Sequence, residues 1–158
     1  MARFVAGHDV VISVFNPGWT NPDIYNLQVK GMRAIIEGVM KAGMKRLLVV
    51  GGAGSLEVKP GVQSVDLPEF PAEYKQGALA TREALNLLRK EPSLEWTFLS
   101  LSADLFPGER TGKFRLGTDQ LLRDANGESR ISVRDYAVAM IDEVEKSQHI
   151  RQRFTIGS

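Results

Sequence analysis

The chain has 158 residues, of which 43% are hydrophobic and 25% are charged, a composition typical of a single soluble globular domain spanning residues 1–158. Its 20 basic and 19 acidic side chains leave a net charge of +1, which gives no indication of nucleic acid as a partner. The absence of cysteine excludes disulfides, thiolate metal sites and thiol nucleophiles. No apolar run approaches the roughly 20 residues of a membrane helix, and no signal-peptide pattern is visible, so we expect a cytoplasmic protein without a membrane partner.

The first part of the chain predicts a strand, a helix and a second strand. Residues 8–15 are rich in β-branched side chains, which predicts a strand buried on both faces. Apolar residues at helical spacing predict a helix over residues 22–42, with Asn21 as its N-cap and Gly43 just beyond its end. The apolar run at residues 47–50 predicts the next strand, so the order indicates a βαβ unit with two parallel strands.

The middle of the chain continues the alternation. Residues 51–71 are rich in Pro and Gly, and a segment of this length inside a compact domain is typical of a functional loop. Helical spacing then predicts a helix over residues 73–90, and residues 96–99 predict a third strand. Alternating strands and helices predict an open α/β sheet that is mostly parallel.

The last part, residues 104–158, predicts a small α+β cap at the end of the sheet. Residues 112–117 indicate a short strand. Ser132 and Asp135 have the spacing of a capping box before an amphipathic helix, and residues 153–156 indicate a closing strand.

A glycine cluster, residues 51–54, directly follows the second predicted strand. Phosphate-binding loops need a helix immediately after their glycines, whereas Pro60 and Gly61 interrupt any helix here. We therefore reject a P-loop and a dinucleotide phosphate loop at this position. Two interpretations remain: a bare backbone against which a flat ring or a ribose can lie, or a tight turn that needs positive φ.

Two further polar segments, residues 13–19 and 100–102, follow predicted strand ends. The carboxyl ends of parallel strands meet at one edge of a sheet, so we expect both segments to converge with the glycine cluster on one crevice. Each segment alone is equally typical of strand termination, in which Ser and Asn satisfy turn amides. The three together favour a ligand site.

No acid–base pair or metal site is visible in the sequence. His8 precedes the first strand and His149 lies in a polar tail, so neither is expected to be a catalytic base. Tyr74 and Lys75 are adjacent, and adjacent helical residues cannot share a face as the Tyr–Lys pair of dehydrogenases does. The basic stretch at residues 151–153 is expected to lie in solvent.

Four segments of the chain together resemble the atypical short-chain dehydrogenase/reductase family that binds NAD(P)H, in its NADH-flavin reductase-like branch. They read HDVVISVFNPG, VMKAGMKRLLVVGGAGSL, ALATREALNLLRKEPSLEWTFLS and GKFRLGTDQLLRDANGESRISVRDYAVAMIDEVE. The resemblance covers nearly the whole chain. It implies a Rossmann-like fold and an oxidoreductase that uses NADP or NAD and reduces a small molecule such as a flavin.

The sequence departs from the family pattern in two ways. Only MARFVAG precedes the first predicted strand, so the resemblance implies a chain without the family's first strands and its Gly-x-x-Gly-x-x-Gly loop. The loss would expose an inner edge of the sheet, which predicts aggregation or a homo-oligomer paired through that edge. In addition, the family's serine falls on Gly52, which leaves only Ser55 nearby as a catalytic candidate, and Tyr-x-x-x-Lys is absent.

The resemblance also implies which residues contact the cofactor. The implied contacts are Phe15, Asn16, Pro17, Gly51, Gly52, Ala53, Gly54, Ser100, Leu101, Ser102 and Ala103. The first three would flank the adenine or ribose, the glycine segment would line the nicotinamide side, and residues 100–103 would close over it. Residues 56–71 and 107–114 would shape the acceptor pocket.

Three hypotheses follow. The first is an NAD(P)H-dependent reductase similar to flavin reductases. The second is a sensor of nicotinamide nucleotides that has the same fold but no catalytic activity. The third is a module that oligomerises through its exposed sheet edge and binds no nucleotide.

Overall fold

The computed structural model describes all residues, 1–158. No helix is both long enough and apolar enough to cross a membrane. The strands are β1 (Val11–Ser13), β2 (Arg46–Gly51), β3 (Glu57–Lys59), β4 (Val62–Gln63), β5 (Glu95–Ser100), β6 (Asp104–Phe106), β7 (Arg115–Gly117), β8 (Arg130–Ser132) and β9 (Gln152–Gly157). The helices are α1 (Ala2–Val5), α2 (Ile24–Lys41), α3 (Ala72–Arg89) and α4 (Val133–Glu145), and a short 3₁₀ turn covers Ser64–Asp66.

The main sheet has five strands in the order β1-β2-β5-β9-β7. The first four are parallel and β7 runs antiparallel to β9. Helices α2 and α3 cover one face of the sheet, and α4 covers the other. This arrangement confirms the predicted open α/β sheet, which connects its parallel strands through helices.

Strand β1 is shorter and more exposed than the predicted strand over residues 8–15. It pairs only with β2, so its other edge has no partner strand within the chain. Ile12 is 41% exposed and Val14 is 70% exposed. The prediction of burial on both faces was wrong because the sheet ends at β1. Pairing of this edge with a second copy stays a prediction.

Helix α2 begins two residues later than the N-cap prediction requires. Asp23, and not Asn21, is the N-cap residue. The Asn21 side-chain oxygen accepts a hydrogen bond from the Asp23 N–H at 2.9 Å, which holds a turn before the helix. Gly43 follows the helix with a φ of +72°, so the predicted glycine stop is confirmed.

Residues 51–71 are more regular than the predicted loop. They contain the β3–β4 hairpin, whose turn has Gly61 at a φ of +76°. The hairpin leads into the 3₁₀ turn, where the Val65 N–H donates to the Gly54 carbonyl at 2.8 Å. The segment therefore folds back onto the glycine cluster.

Residues 104–158 contain the predicted short strands and amphipathic helix, and they also complete the main sheet. Strand β9 joins the main sheet between β5 and β7, while β6 and β8 form a separate parallel pair. The Ser132 hydroxyl accepts a hydrogen bond from the Asp135 N–H at 3.0 Å, as the capping-box spacing predicted.

The Asp135 carboxylate holds the segment before β7 against α4. It accepts hydrogen bonds from the N–H groups of Thr111 and Gly112, both at 2.9 Å, and from the Thr111 hydroxyl at 2.6 Å. Burial of this residue opposes its charged form, but the hydrogen bonds outweigh that effect and lower the pKa of Asp135.

We expect Asp135→Asn to lower the free energy of unfolding at pH 7 by about 1.5 to 3 kcal/mol, the usual contribution of hydrogen bonds to a charged group. The folded-state pKa is lower than the unfolded one, so the carboxylate contributes fully above its unfolded pKa. That contribution is lost as the pH falls through the folded pKa, below about pH 4. Urea unfolding should show that the variant has a lower free energy of unfolding than the wild type at pH 7, and that this difference is smaller at pH 3. Asp142→Asn, on the exposed side of α4, is the control and should change little.

We expect Gly51→Ala to destabilise the fold by about 1 to 3 kcal/mol, as overpacking of a core does. A Cβ at Gly51 would overlap the ring of Phe98, which is fully buried and cannot move aside. The neighbouring Gly52→Ala should cost less, because its Cβ would lie 3.3 Å from the Thr81 methyl group. Equal losses for the two variants in urea unfolding would contradict this account.

Candidate functional site

A cleft of about 680 Å³ lies at the carboxyl ends of β2 and β5. The two strands stay together as they leave the sheet, because the Leu101 N–H donates to the Gly51 carbonyl at 3.1 Å. The cleft is lined by Trp19, Gly52, Ala53, Gly54, Ser64, Leu67, Glu69, Phe70, Pro71, Tyr74, Ala78, Thr81, Leu101, Ser102, Ala103, Asp104 and Leu105.

All three predicted segments reach this cleft, two through several residues and the segment 13–19 through Trp19 alone. The residues that line it are Gly52, Ala53, Gly54, Leu101, Ser102 and Ala103. Gly51 and Ser100 are the last residues of β2 and β5, and both are buried beneath it. Residues 15–17 lie outside the lining, although Trp19 of the same loop is part of it. No residue of 107–114 lines the cleft.

The loop after β1 is fixed by α2. The Gln28 side-chain amide donates to the Phe15 carbonyl at 3.2 Å, and the Phe15 ring occupies the space that a side chain at Gly31 would need. Asn16 accepts from the Gly18 N–H at 2.7 Å. The Gln28 Oε1 is buried and has no hydrogen-bond partner within the chain.

The glycines of the cleft let α3 approach the end of β2. A Cβ at Gly54 would lie 2.9 Å from the Ala78 Cβ, and one at Gly52 would lie 3.3 Å from the Thr81 methyl group. Neither glycine has a positive φ, so the tight-turn interpretation was wrong. The remaining interpretation is a bare backbone that faces the cleft and packs against α3.

Arg153 is buried beneath the cleft, so the predicted solvent position of this residue was wrong. Its Nε donates to the Asp119 carboxylate at 2.9 Å, and its Nη1 donates to the Ser55 hydroxyl at 3.0 Å and to the Ser100 hydroxyl at 3.4 Å. Burial lowers the pKa of Arg153, and the bond to Asp119 opposes that effect. Sequence reasoning missed this role because a basic stretch is usually solvated, and the partners are distant in sequence.

Ser55, the catalytic candidate, does not line the cleft. It is only 4% exposed, and both its hydroxyl and its carbonyl accept hydrogen bonds from Arg153. A catalytic role for Ser55 stays a prediction, whereas its position favours a structural role.

An aromatic wall, formed by Trp19, Phe70 and Tyr74, bounds the cleft. The Trp19 and Tyr74 rings meet edge to face, with centroids 5.8 Å apart and planes at 86°. These two side chains are 48% and 49% exposed. Sequence reasoning included Trp19 and Phe70 in candidate segments, but it missed Tyr74 as a cleft residue, whose only signal is its position at the start of α3.

The charged residues of the lining are all acidic. They are Glu69 and Asp104, and the lining contains no Lys, Arg or His. His149 contacts Glu143 at 2.8 Å near the amino end of β9, far along the strand from the cleft. Tyr74 lines the cleft while Lys75 does not, which agrees with the expectation that adjacent residues cannot act as a pair. The cleft thus offers bare backbone, aromatic surface and carboxylates.

The sequence match decides the family. Residues 1–144 match the family described as NAD(P)H-binding. The chain belongs to this NAD(P)H-binding family. The resemblance found in the sequence and the Rossmann-like fold that it implied are therefore confirmed.

Three similar proteins match nearly the whole chain. The uncharacterized protein YwnB of Bacillus subtilis strain 168 is 42% identical, over 99% of this chain and 74% of its own length. The crystal structure of a proposed epimerase from Bacteroides thetaiotaomicron is 48% identical, with a TM-score of 0.92, over 99% of this chain and 70% of that one. The crystal structure of a proposed NADH-flavin reductase from Streptococcus pneumoniae TIGR4 is 36% identical, with a TM-score of 0.89. The match covers 100% of this chain and 75% of that one.

We expect Ser55→Ala to lower the free energy of unfolding by about 1 to 2 kcal/mol, because it leaves a buried donor of Arg153 without its acceptor. Ser64→Ala is the control, since Ser64 lines the cleft and its hydroxyl makes no hydrogen bond within the chain. Urea unfolding measures both variants. A Ser55→Ala variant of unchanged stability that loses acceptor reduction would instead support catalysis by Ser55.

Proposed function

We propose that the protein is an NAD(P)H-dependent reductase that transfers a hydride to a small planar acceptor such as a flavin. The observation that carries this proposal is the cleft itself, which combines bare glycine backbone on one side with an aromatic wall on another. Membership of the NAD(P)H-binding family supports the nicotinamide part. The name of the Streptococcus pneumoniae relative supports the flavin part.

The cleft residues fit the uncharged nicotinamide ring of the nucleotide, whereas the lining has no Lys, Arg or His that could hold the phosphates. A cleft of about 680 Å³ lies within the range of roughly 300 to 1,000 Å³ that is usual for small-molecule sites. The absence of side chains at Gly52 and Gly54 leaves backbone exposed at the end of a parallel strand, where open α/β sheets bind ligands.

When bound, a reduced nicotinamide supplies a hydride, that is, two electrons and one proton. In this proposal, residues 52–54 and 101–103 hold the ring against the strand ends, and Trp19 and Tyr74 hold the acceptor flat beside it. The chain thereby contributes proximity and orientation, which account for much of the rate when a cofactor carries the chemistry. One further proton, taken from water at the open cleft, completes the reduction of the acceptor.

A nucleotide sensor is the second candidate. It is favoured by Gly52 at the position of the family's serine and by the lack of a lysine beside Tyr74 in the cleft. Such a protein would bind the nucleotide without consuming it, so binding and turnover must be measured separately.

We expect millimolar NADPH to raise the melting temperature of the purified chain by several degrees. A ligand at 100 times its dissociation constant stabilises the folded state by about 2.7 kcal/mol. Addition of a flavin should then cause a lasting fall in absorbance at 340 nm. A temperature shift without this fall selects the sensor, and no shift with either NADPH or NADH rules out both candidates.

A further inference from the structure

The charge of the cleft restricts which acceptors it can hold. Glu69 lines the cleft, is exposed, and forms no ion pair with any basic side chain. Asp104 also lines the cleft, and its partner Arg130 lies 3.6 Å away. An anionic group that enters the cleft therefore meets carboxylates, of which Glu69 is not neutralised.

Two arginines next to cleft residues, Arg130 beside Asp104 and Arg82 after Thr81, are paired with carboxylates. Arg130 contacts Glu128 as well as Asp104, and its guanidinium lies 4.3 Å from the centre of the Phe106 ring. Arg82 on α3 is paired with Asp66 at 2.8 Å. Neither guanidinium faces the cleft, since neither residue lines it.

The aromatic wall sets the shape of the occupant. Trp19 and Tyr74 line the cleft and are each about half exposed, and large apolar side chains left open in this way indicate a binding surface. Aromatic rings recognise flat ligands by stacking and by edge contacts. A planar ring system without negative charge satisfies both the wall and the carboxylates.

We propose that Glu69 determines acceptor specificity, so that the cleft binds uncharged planar acceptors in preference to those that carry a phosphate or other anionic group. This inference rests on the proposed function and narrows its substrate class. Riboflavin and flavin mononucleotide are the appropriate probes, because they share one ring system and differ by a phosphate. The phosphate carries a charge of about −1.5 to −2 at pH 7.

The test is a flavin-fluorescence titration of the full chain with each probe at low salt. Riboflavin should bind about five-fold more tightly than flavin mononucleotide, the ratio expected for a phosphate several ångströms from one carboxylate in a largely aqueous setting. The preference should shrink at about 0.5 M salt, where screening is strong.

Variants at position 69 test whether the Glu69 side chain causes the preference for riboflavin. Glu69→Gln should weaken the preference and Glu69→Lys should reverse it, while Glu145→Lys, which makes the same charge change on α4 outside the cleft, should retain it. Glu69 is exposed, so these variants should melt at the wild-type temperature without ligand.

Two results would overturn the inference: flavin mononucleotide binding at least as tightly as riboflavin to the wild type at low salt, or no binding of either probe. The melting experiment with NADPH distinguishes failure of this inference from failure of the proposed function. A temperature shift with NADPH alongside tight binding of flavin mononucleotide leaves the proposed function standing and removes only the role of Glu69. A shift without binding of either flavin leaves nucleotide binding standing but removes flavin as the acceptor. The absence of both a shift and flavin binding removes the proposed reductase itself.

Discussion

The parallel pairing of β2 with β5 is the constraint on which the rest of the structure depends. The two strands are in register over six residue pairs, which end with Gly51 opposite Ser100. Because the two strands are parallel, both end at the same edge of the sheet. The segment that connects them must return along one face of the sheet, and it does so as a helix. That helix is α3, and the space between it and the two strand ends is the cleft.

Buried arginines fix the sheet near both of its ends. Arg153 bonds to Ser55, Ser100 and Asp119 under the cleft. Near the amino end of β2, Arg46 pairs with Glu143 of α4 at 2.9 Å. A buried charge is tolerated only when it is paired and hydrogen-bonded. Each guanidinium therefore fixes the relative positions of the elements that supply its hydrogen-bond partners.

The elements with strong periodic patterns were predictable. Strands β2 and β5 and helices α2 and α3 combine regular apolar spacing with glycine or proline boundaries, and the observed bounds lie within one or two residues of the predicted ones. Their order was enough to place the strand ends together. The position of the cleft was therefore predictable from the sequence.

Features that depend on long-range contacts were not predictable. The short length of β1, which pairs with β2 alone, depends on tertiary pairing and not on its own β-branched sequence. The burial of Arg153 depends on a carboxylate and two hydroxyls from other segments. Tyr74 carries no pattern that separates a cleft wall from an ordinary surface, because its role arises only when α3 packs on the sheet.

The placement of β9 has a consequence for the order in which the molecule assembles. This strand follows every other element in the chain, yet it lies inside the main sheet and carries Arg153. The contact between Arg153 and Ser55 joins residues 98 positions apart, and such distant contacts form late because a long loop must close first. During synthesis, the glycine segment and the end of β5 emerge well before the side chain that fixes them. The cleft therefore acquires its final form only when the last strand docks, and a ribosome-bound chain without β9 would have no fixed cleft.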